Sequence, residues 1–339
     1  MVTLKDIAAE AGVSITTVSN VVHNRSSRVS PELVQKIRQI IDREHYVPSM
    51  TARTLVNDES YIIGVITHMT PQNKGSTMSD PFLGTFVEGI EHRTREEGYF
   101  LMIRSVEDAQ ALESLRRSWK LSGVILTGIF ADEFFAGVQH LGIPFVLIDS
   151  YVKAPDVCCI GLEDEKGGYL ATKHLLENGH RTIAFASPTI REGGVVEKRL
   201  NGYKKALHEF GVPFDPSLVF TQEIFVEEGK RLGHLLAEKP EITGIFASAD
   251  ILAAGIMTGL RECGVLVPHD KSIVGFDDNY LCQLTNPSLT TIHQDAEQKG
   301  SLAVDMLLAQ LRHETIREHS IILPVSLVER ESVRNLNQM

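Results

Sequence analysis

The sequence predicts a small all-α domain at the N-terminus, followed by an α/β body with two doubly wound parallel sheets. Three observations predict this fold class. The chain has 339 residues, which is enough for two or three domains. Residues 1–46 carry three short helical patterns and no strand pattern, whereas from Tyr61 onward β-rich runs alternate with amphipathic helices. Repeated β-α-β units of this kind form parallel sheets with helices on both faces.

The three N-terminal helices begin and end at recognisable residues. Thr3 caps the first helix, and Gly12 ends it. Ser14 can cap the second, and Ser30 with Pro31 begins the third. The apolar positions at helical spacing are Leu4, Ile7, Ala8, Ala11, Val18, Val21, Val22, Leu33, Ile37, Ile40 and Ile41.

The body is predicted to contain at least eight strands and six long helices. We predict strands at residues 61–67, 100–105, 123–127, 145–149, 182–186, 244–248, 272–276 and 290–293. We predict helices at residues 86–97, 165–178, 200–210, 227–238, 252–263 and 298–311. This number of units over about 270 residues favours two sheets rather than one.

The composition excludes several classes of protein. Hydrophobic residues make up 43% of the chain and charged residues 23%, which is typical of a globular protein with a sizeable core. No run approaches the roughly 18 apolar residues of a membrane span. Lys5, Asp6 and Glu10 interrupt the N-terminus, so it lacks the apolar segment of a secretory signal, and we expect a cytoplasmic protein without membrane partners.

We expect neither a metal nor a cofactor. The four cysteines, Cys158, Cys159, Cys263 and Cys282, lack the paired spacing of a zinc or redox site, and we predict that they are small buried hydrophobic residues. The histidines form no HxxxH or HExxH pair. The motifs GxGxxG, GxxxxGK and GxSxG are also missing, which makes a carbohydrate-acting enzyme the weaker hypothesis.

Two short helices joined by a tight turn and closed by a third predict a helix-turn-helix domain, with a generic three-helix bundle as the alternative. The charge distribution favours the first interpretation. Residues 1–55 contain seven basic and five acidic residues, a net charge of +2, whereas the rest of the chain carries −13. The second helix also offers uncharged groups for base edges and phosphates at Ser14, Thr16, Thr17, Ser19 and Asn20.

Two segments carry a family resemblance. Residues 3–24 read TLKDIAAEAGVSITTVSNVVHN, and residues 28–55 read RVSPELVQKIRQIIDREHYVPSMTARTL. They resemble the DNA-binding headpiece and hinge of the lactose-repressor/galactose-repressor (LacI/GalR) family, and weaker similarity continues to Glu329 and Arg330. The resemblance implies a transcriptional regulator whose body is similar to a periplasmic sugar-binding protein, with an effector cleft between two subdomains.

A recognition helix places its N-terminal residues nearest the bases, and the resemblance implies the same positions, so Ile15, Thr16 and Asn20 are the predicted base contacts. Most relatives carry Arg at the position of Asn20. Because Arg favours guanine and Asn can bind adenine, we predict a shifted operator preference; a phosphate-bonding amide is the alternative. The resemblance assigns phosphate contacts to Thr3, Ser14, Thr17, Ser19, Arg28, Ser30 and Tyr46.

The hinge at residues 49–55 is too short to form a stable helix alone, since isolated helices below about 12 residues are marginal. In the family, two hinges pair over the operator centre, and a leucine from each enters the minor groove. The resemblance implies that Leu55 is this leucine and that Ala52 is the small residue where the hinges meet. A plain linker is the alternative.

Ligands of doubly wound sheets bind at the carboxyl ends of the strands, where Asp149 and Asp277 lie. The resemblance aligns Arg199 and Asp277 with the cleft Arg and Asp of the family, which can hold sugar hydroxyls, although a structural ion pair is the alternative. Further candidate positions are Asp80, Phe82, Ile224, where relatives often have an aromatic residue, and Ala249, where they often have Asn. The segment 70–79 is either a lid or an inert surface loop.

The predicted domains are a headpiece at 1–48, a hinge and linker at 49–60 and a body at 61–339. Within the body we predict an N-subdomain at about 61–161 and 290–320, and a C-subdomain at about 162–289 and 321–339. The predicted function is a homodimeric repressor that binds a palindromic double-stranded operator under the control of a sugar or sugar phosphate. A regulator controlled by a phosphoprotein corepressor is the alternative.

Overall fold

A computed structural model of the chain describes residues 2–22, 29–46, 60–68, 80–152, 154 and 156–338. The chain divides into an N-terminal unit that ends at Ser60 and a body that begins at Tyr61. In the N-terminal unit, α1 spans Leu4–Ala11, α2 spans Ile15–Val22 and α3 spans Pro31–Arg43. Their shared core contains Ile7, Ala8, Ala11, Val18, Val21, Ile37 and Ile40, all of which belong to the predicted apolar positions.

The caps of these helices are those that the sequence predicts. Thr3 and Asp6 form a reciprocal capping box, and Gly12 ends α1 with a φ of 75°, a conformation that glycine adopts without steric cost. The Ser30 side chain accepts a hydrogen bond from the Leu33 amide, with Pro31 at the first position of α3. Local hydrogen bonds therefore fix where each helix begins.

In the part of the body that the structure describes, the strands form two six-stranded sheets, which confirms the predicted fold class. The first sheet has the order β11-β5-β4-β3-β1-β2 and consists of β1 Ile62–His68, β2 Phe100–Val106, β3 Gly123–Thr127, β4 Phe145–Ile148, β5 Cys158–Leu162 and β11 Ser320–Leu323. The second sheet has the order β12-β10-β9-β8-β6-β7 and consists of β6 Ile183–Ser187, β7 Val219–Thr221, β8 Gly244–Ala247, β9 Ser272–Asp277, β10 Thr290–His293 and β12 Ser326–Val328. All neighbouring strands are parallel except β12, which runs antiparallel to β10.

Helices connect most of the successive strands, within a sheet or from one sheet to the other. They are α4 Pro81–Glu96, α5 Ala109–Trp119, α6 Glu133–Gln139, α7 Asp164–Glu177, α8 Val195–Glu209, α9 Val226–Ala237, α10 Asp250–Glu262, α11 Leu281–Leu284 and α12 Ala296–Leu311. No helix of the described residues is long and apolar enough to cross a membrane. Among the described residues, the chain passes between the sheets after β5, after β10 and after β11.

The sheet pairing corrects the predicted subdomain bounds. Strand β10 at Thr290–His293 pairs with β9 in the second sheet, although we assigned residues 290–320 to the N-subdomain. Strand β11 at Ser320–Leu323 pairs with β5 in the first sheet, although residues from 321 onward were assigned to the C-subdomain. The chain returns to the first half in α12, which packs on α4, and residue spacing alone does not show which sheet a strand joins.

The cysteine prediction is partly wrong. Cys158 and Cys282 are buried, but Cys159 is only partly buried and Cys263 is exposed. Cys263 ends α10 as its C-cap residue, where the helix reaches the surface.

Candidate functional sites

The exposed face of α2 carries the predicted base contacts. Ile15 is 48% exposed, unusual for a large apolar side chain, and Thr16 is also exposed. Asn20 lies about one turn later and is half-buried. An exposed apolar group beside hydroxyl and amide groups can contact a thymine methyl and adjacent base edges.

The N-terminus of α2 is fixed by two hydroxyls. The Thr17 amide donates a hydrogen bond of 3.2 Å to Ser14 Oγ, and the two side-chain oxygens are 2.9 Å apart. Ser19 lies on the same helix and is half-buried. The free amides at a helix N-terminus favour an anion, so this end of α2 suits a phosphate oxygen.

The other predicted phosphate contacts differ in their exposure and in whether their hydrogen-bonding groups are already in use. Thr3 uses its hydroxyl and its amide on Asp6 Oδ2, at 2.7 and 2.9 Å, so it acts as a cap in this structure. Ser30 is exposed, and Tyr46 is partly buried, which raises the pKa of its phenol. Arg28, Ala52 and Leu55 lie outside the described residues, as does the segment 70–79.

In the body, two candidate carboxylates lie at the ends of central strands. Asp149 follows β4 with a φ of 53°, and Asp277 ends β9 with a φ of 119°. Such backbone conformations are costly for residues with a side chain and persist where the surrounding structure holds them. They occur frequently at ligand sites, which agrees with the predicted position of the cleft.

A chain of hydrogen bonds joins these two carboxylates through residues that the sequence analysis missed. Lys299 Nζ contacts both Asp149 oxygens, at 2.7 and 2.9 Å, and Gln294 Oε1, at 2.8 Å. The Gln294 amide donates a bond of 2.5 Å to Asp277 Oδ1. Asp149 belongs to the first sheet and Asp277 to the second, so this chain crosses between the two halves of the body.

Arg199 is buried on α8, where it is held by several partners. Its Nε donates to Asp164 Oδ1 at 2.8 Å, and Nη1 donates to the Ser248 carbonyl at 2.7 Å. The guanidinium lies 3.5 Å from the centroid of the Phe276 ring. Asp164 also accepts a hydrogen bond from the hydroxyl of Tyr151, which follows the first sheet's β4.

Glycines bring Arg199 and Asp164 together. A Cβ at Gly168 would meet the Arg199 carbonyl at 2.0 Å, and one at Gly202 would meet the Glu165 carbonyl at the same distance. The backbones of α7 and α8 are therefore in direct contact, which places the first turn of α7 beside Arg199.

The remaining candidates occupy different places. Asp80 caps α4 through a bond of 3.0 Å from the Phe82 amide, and its carboxylate interacts electrostatically with Arg199. The Phe82 ring lies 5.2 Å from Lys299 Nζ. Ala249 is a buried residue at the start of α10, and Ile224 packs against the core of the second sheet.

The cleft cluster, as we call it, consists of Asp80, Asp149, Asp164, Arg199, Asp250, Asp277, Gln294 and Lys299. Burial, followed by the negative charge of Asp250, raises the pKa of Asp277 well above its ordinary value. Burial also raises the pKa of Asp80 and Asp164, and raises that of Asp250 to about 6. These four carboxylates therefore bind protons more tightly than they would in water.

One signal could have revealed Lys299. It is fully buried on α12, where Ala296, Gly300 and Ala303 are also buried. A lysine on the apolar face of a helix needs a buried partner, because an unpaired buried ammonium is costly. Asp164 gave no comparable signal, because an acid in the first turn of a helix usually has a simple capping role.

A helix-turn-helix unit joined to a two-sheet body, with a charged cluster connecting the sheets, defines a DNA-binding regulator with a ligand-binding body. The similarity of this chain to known protein families agrees with this class. Residues 3–49 match the family described as bacterial regulatory proteins, lacI family, and residues 172–333 match the periplasmic binding protein-like domain.

Curated relatives extend over nearly the whole chain. The HTH-type transcriptional regulator DegA of Bacillus subtilis is 31% identical, with 99% of each chain covered. The ribose operon repressor of Haemophilus influenzae is 32% identical over 99% of this chain and 100% of its own. This chain therefore belongs to the lacI family of bacterial regulatory proteins; it is a DNA-binding transcriptional repressor and not an enzyme.

Solved structures show the same architecture. The Lac repressor dimer bound to operator and the anti-inducer ONPF is 27% identical, with a TM-score of 0.84 and coverage of 98% of this chain and 99% of that chain. A LacI family regulator from Enterococcus faecium with bound ribose is 28% identical, with a TM-score of 0.72 and coverage of 81% and 99%.

Proposed function

We propose that this repressor binds a palindromic operator as a homodimer, and that a carbohydrate or its phosphate in the cleft between the two sheets controls its operator affinity. One observation carries the proposal. Arg199 and four interacting carboxylates, Asp80, Asp149, Asp164 and Asp277, come together from both halves of the body. Such a set can bind several hydroxyls of one ligand. The ribose and cellobiose complexes of similar regulators support the ligand class.

Control of the operator follows from the position of the cluster. A ligand that replaces the Lys299–Gln294–Asp277 bonds or the Tyr151–Asp164 bond would change the angle between the two halves. That angle sets the position at which each body enters its hinge, near residue 60. A coupling of about 1–3 kcal/mol is enough to change DNA affinity by roughly 5- to 150-fold.

On the DNA, we propose that Ile15, Thr16 and Asn20 contact bases. Ser14, Thr17, Ser19, Ser30 and Tyr46 contact phosphates, together with Arg28 and Thr3, and Ala52 and Leu55 act in the minor groove. The exposure of Ile15 and Thr16 on α2 supports the first group. Because operator DNA is the target, we place the protein in the cytoplasm.

A dimer is expected because a two-fold operator requires a two-fold protein. Exposed apolar side chains support a contact surface on the body. Tyr280 is 61% exposed and Leu284 is 73% exposed, both at the short helix α11. A contiguous exposed apolar patch marks an interaction surface, and we assign these two neighbouring side chains to the dimer contact.

The test is a thermal-shift screen of sugars and sugar phosphates, followed by operator binding with and without each hit. A ligand that binds only the native state raises its melting temperature in proportion to saturation. We expect Arg199→Ala to abolish the shift, and Lys205→Ala, an exposed lysine on the same helix, to retain it. Operator binding by ligand-free Arg199→Ala shows that it is folded. A hit unaffected by Arg199→Ala would place the ligand elsewhere.

A further inference from the structure

The cleft cluster contains more acidic than basic groups. Asp80, Asp149, Asp164, Asp250 and Asp277 supply five carboxylates, and Arg199 and Lys299 supply the two cations. The carboxylates act on one another electrostatically, since Asp277 is affected by Asp250 and Asp80, and Asp164 by Asp149. A ligand in this cleft therefore enters an environment in which negative charge is already in excess.

Both cations are already bound to acceptors of the protein. The three hydrogen bonds of Lys299 Nζ, two to Asp149 and one to Gln294, use the full donor capacity of an ammonium group. Arg199 is bound to Asp164 and to the Ser248 carbonyl, and the Phe276 ring covers one face of its guanidinium. A phosphate bound to Arg199 would lie beside Asp164, and one bound to Lys299 would have to displace an acceptor of that ammonium group, so either position places a second anion next to a cluster carboxylate.

Two buried side-chain atoms at the same end of the second sheet have no hydrogen-bond partner among the described residues. Ser248 follows β8 and is 2% exposed, and its Oγ makes no hydrogen bond. Asn279 follows β9 and is 9% exposed, and its Nδ2 makes none either. Each residue adjoins the cluster, since the backbone carbonyl of Ser248 accepts a hydrogen bond from Arg199 and the backbone amide of Asn279 donates one to Asp250 Oδ2. A buried hydroxyl or side-chain amide without a hydrogen-bond partner is costly, and a ligand hydroxyl is able to bond to either group.

Burial raises the pKa of Asp80, Asp164 and Asp277, so it costs free energy to keep these carboxylates ionised in the cleft. An anionic ligand would add to that cost, because a neighbouring like charge disfavours the ionised form.

Taking the proposed carbohydrate effector as the premise, we infer that the cleft selects an uncharged polyhydroxy ligand and rejects its phosphate esters. The ligand hydroxyls donate to the cluster carboxylates and bind Ser248 Oγ and Asn279 Nδ2. Arg199 and Lys299 each already have a carboxylate partner, so a phosphate dianion would add to the excess of negative charge in the cluster.

The experiment uses matched pairs, ribose with ribose 5-phosphate and glucose with glucose 6-phosphate, measured by thermal shift and calorimetry on the full-length protein. We expect the parent sugar of at least one pair to bind and its ester to bind at least 30-fold more weakly. An ester that binds as tightly as its parent, or more tightly, overturns the inference. If neither member of any pair binds while operator binding is intact, the carbohydrate effector itself is contradicted, and the inference fails with it.

A charge variant tests the cause of the rejection. Asp80→Asn removes one cluster carboxylate, and we expect it to reduce the ratio of ester to parent dissociation constants at least threefold. Glu297→Gln removes one negative charge from an exposed side chain on α12, and this control should leave the ratio unchanged. An equal effect of both variants, or no effect of Asp80→Asn, would mean that the cluster does not determine the selection.

Discussion

Lys299 Nζ lies 2.7 Å from Oδ1 and 2.9 Å from Oδ2 of Asp149, although the two residues are 150 positions apart in the chain. The lysine side chain is fully buried, and the carboxylate is 20% exposed. The ion pair links α12, which follows β10 of the second sheet, to the end of β4 in the first sheet. It is therefore both a part of the cleft and a structural connection.

Replacing Lys299 by Met should strongly destabilise the body. The substitution preserves most of the side-chain volume but leaves Asp149 beside the other cluster carboxylates without a cation. We expect the free energy of unfolding to fall by about 3–5 kcal/mol, measured by denaturant titration at pH 7.5. The double variant Lys299→Met/Asp149→Asn should recover a large part of the loss. If it is no more stable than the single variant, the ion pair is not the cause.

Asn20→Arg should change which operator sequence the protein prefers, and not only its overall affinity for DNA. Arg binds the two acceptors of guanine and Asn the acceptor and donor of adenine, and one such contact discriminates by about 1–3 kcal/mol. Selection of sites from random duplexes with both proteins measures the change. Asn20→Ala is the control and should relax the preference at one base pair. The same consensus from the parent and Asn20→Arg would remove Asn20 from the base contacts.

The contribution of His180 to the free energy of unfolding should decrease as the pH falls. Its ring bonds to Thr243 Oγ1 at 3.0 Å and to the Arg334 carbonyl at 3.1 Å, and burial lowers its pKa to about 4. The unfolded chain takes up this proton near pH 6.5, before the folded chain does, so stability from this group is present above pH 6.5 and lost as the pH falls towards 4. The loss is about 3 kcal/mol.

The comparison of wild type with His180→Gln isolates this contribution. The raised pKa of Asp250 has the opposite effect on stability, because the folded state takes up this proton before the unfolded state does as the pH falls. This effect is the same in the wild type and in His180→Gln, so it cancels in the comparison. The stability advantage of the wild type should therefore shrink between pH 7 and pH 4.5 in denaturant titrations. A pH-independent difference would mean that His180 does not titrate as expected.

Leu284→Glu should weaken the dimer, because α11 carries the proposed contact surface. A charge placed in an apolar contact surface is left without a partner, and we expect the dissociation constant to rise at least tenfold, about 1.4 kcal/mol. Sedimentation velocity over a range of concentrations measures this. Leu266→Glu is the matched control, since Leu266 is 56% exposed and precedes β9, at the opposite end of the strand from α11. Equal effects of the two variants would argue against α11 as the interface.

The helices of the N-terminal unit show what local sequence can specify. Thr3, Gly12 and Ser30 act within three or four residues of their own position, and each cap was predictable. In the body, β3 and β10 were predicted with the observed bounds. Strand β5 was missed because its sequence, CCIGL, has cysteines and a glycine where strands usually have β-branched or aromatic residues. Helices α5 and α6 and strands β7, β11 and β12 were also missed.

The residues of the candidate site likewise divide into those that the sequence predicted and those that it did not. Asp149, Arg199 and Asp277 were predicted from strand ends and family resemblance, and the structure brings them into one electrostatic cluster. Lys299, Gln294 and Asp164 were not predicted, because their roles depend on which elements meet in space. The sequence by itself determined the two fold classes, the helix caps and the location of the cleft carboxylates, since these depend on hydrogen bonds and apolar spacing between near neighbours. Only the tertiary structure decided which sheet each late strand joins and which buried charges are paired, because partners up to 150 residues apart are selected by packing.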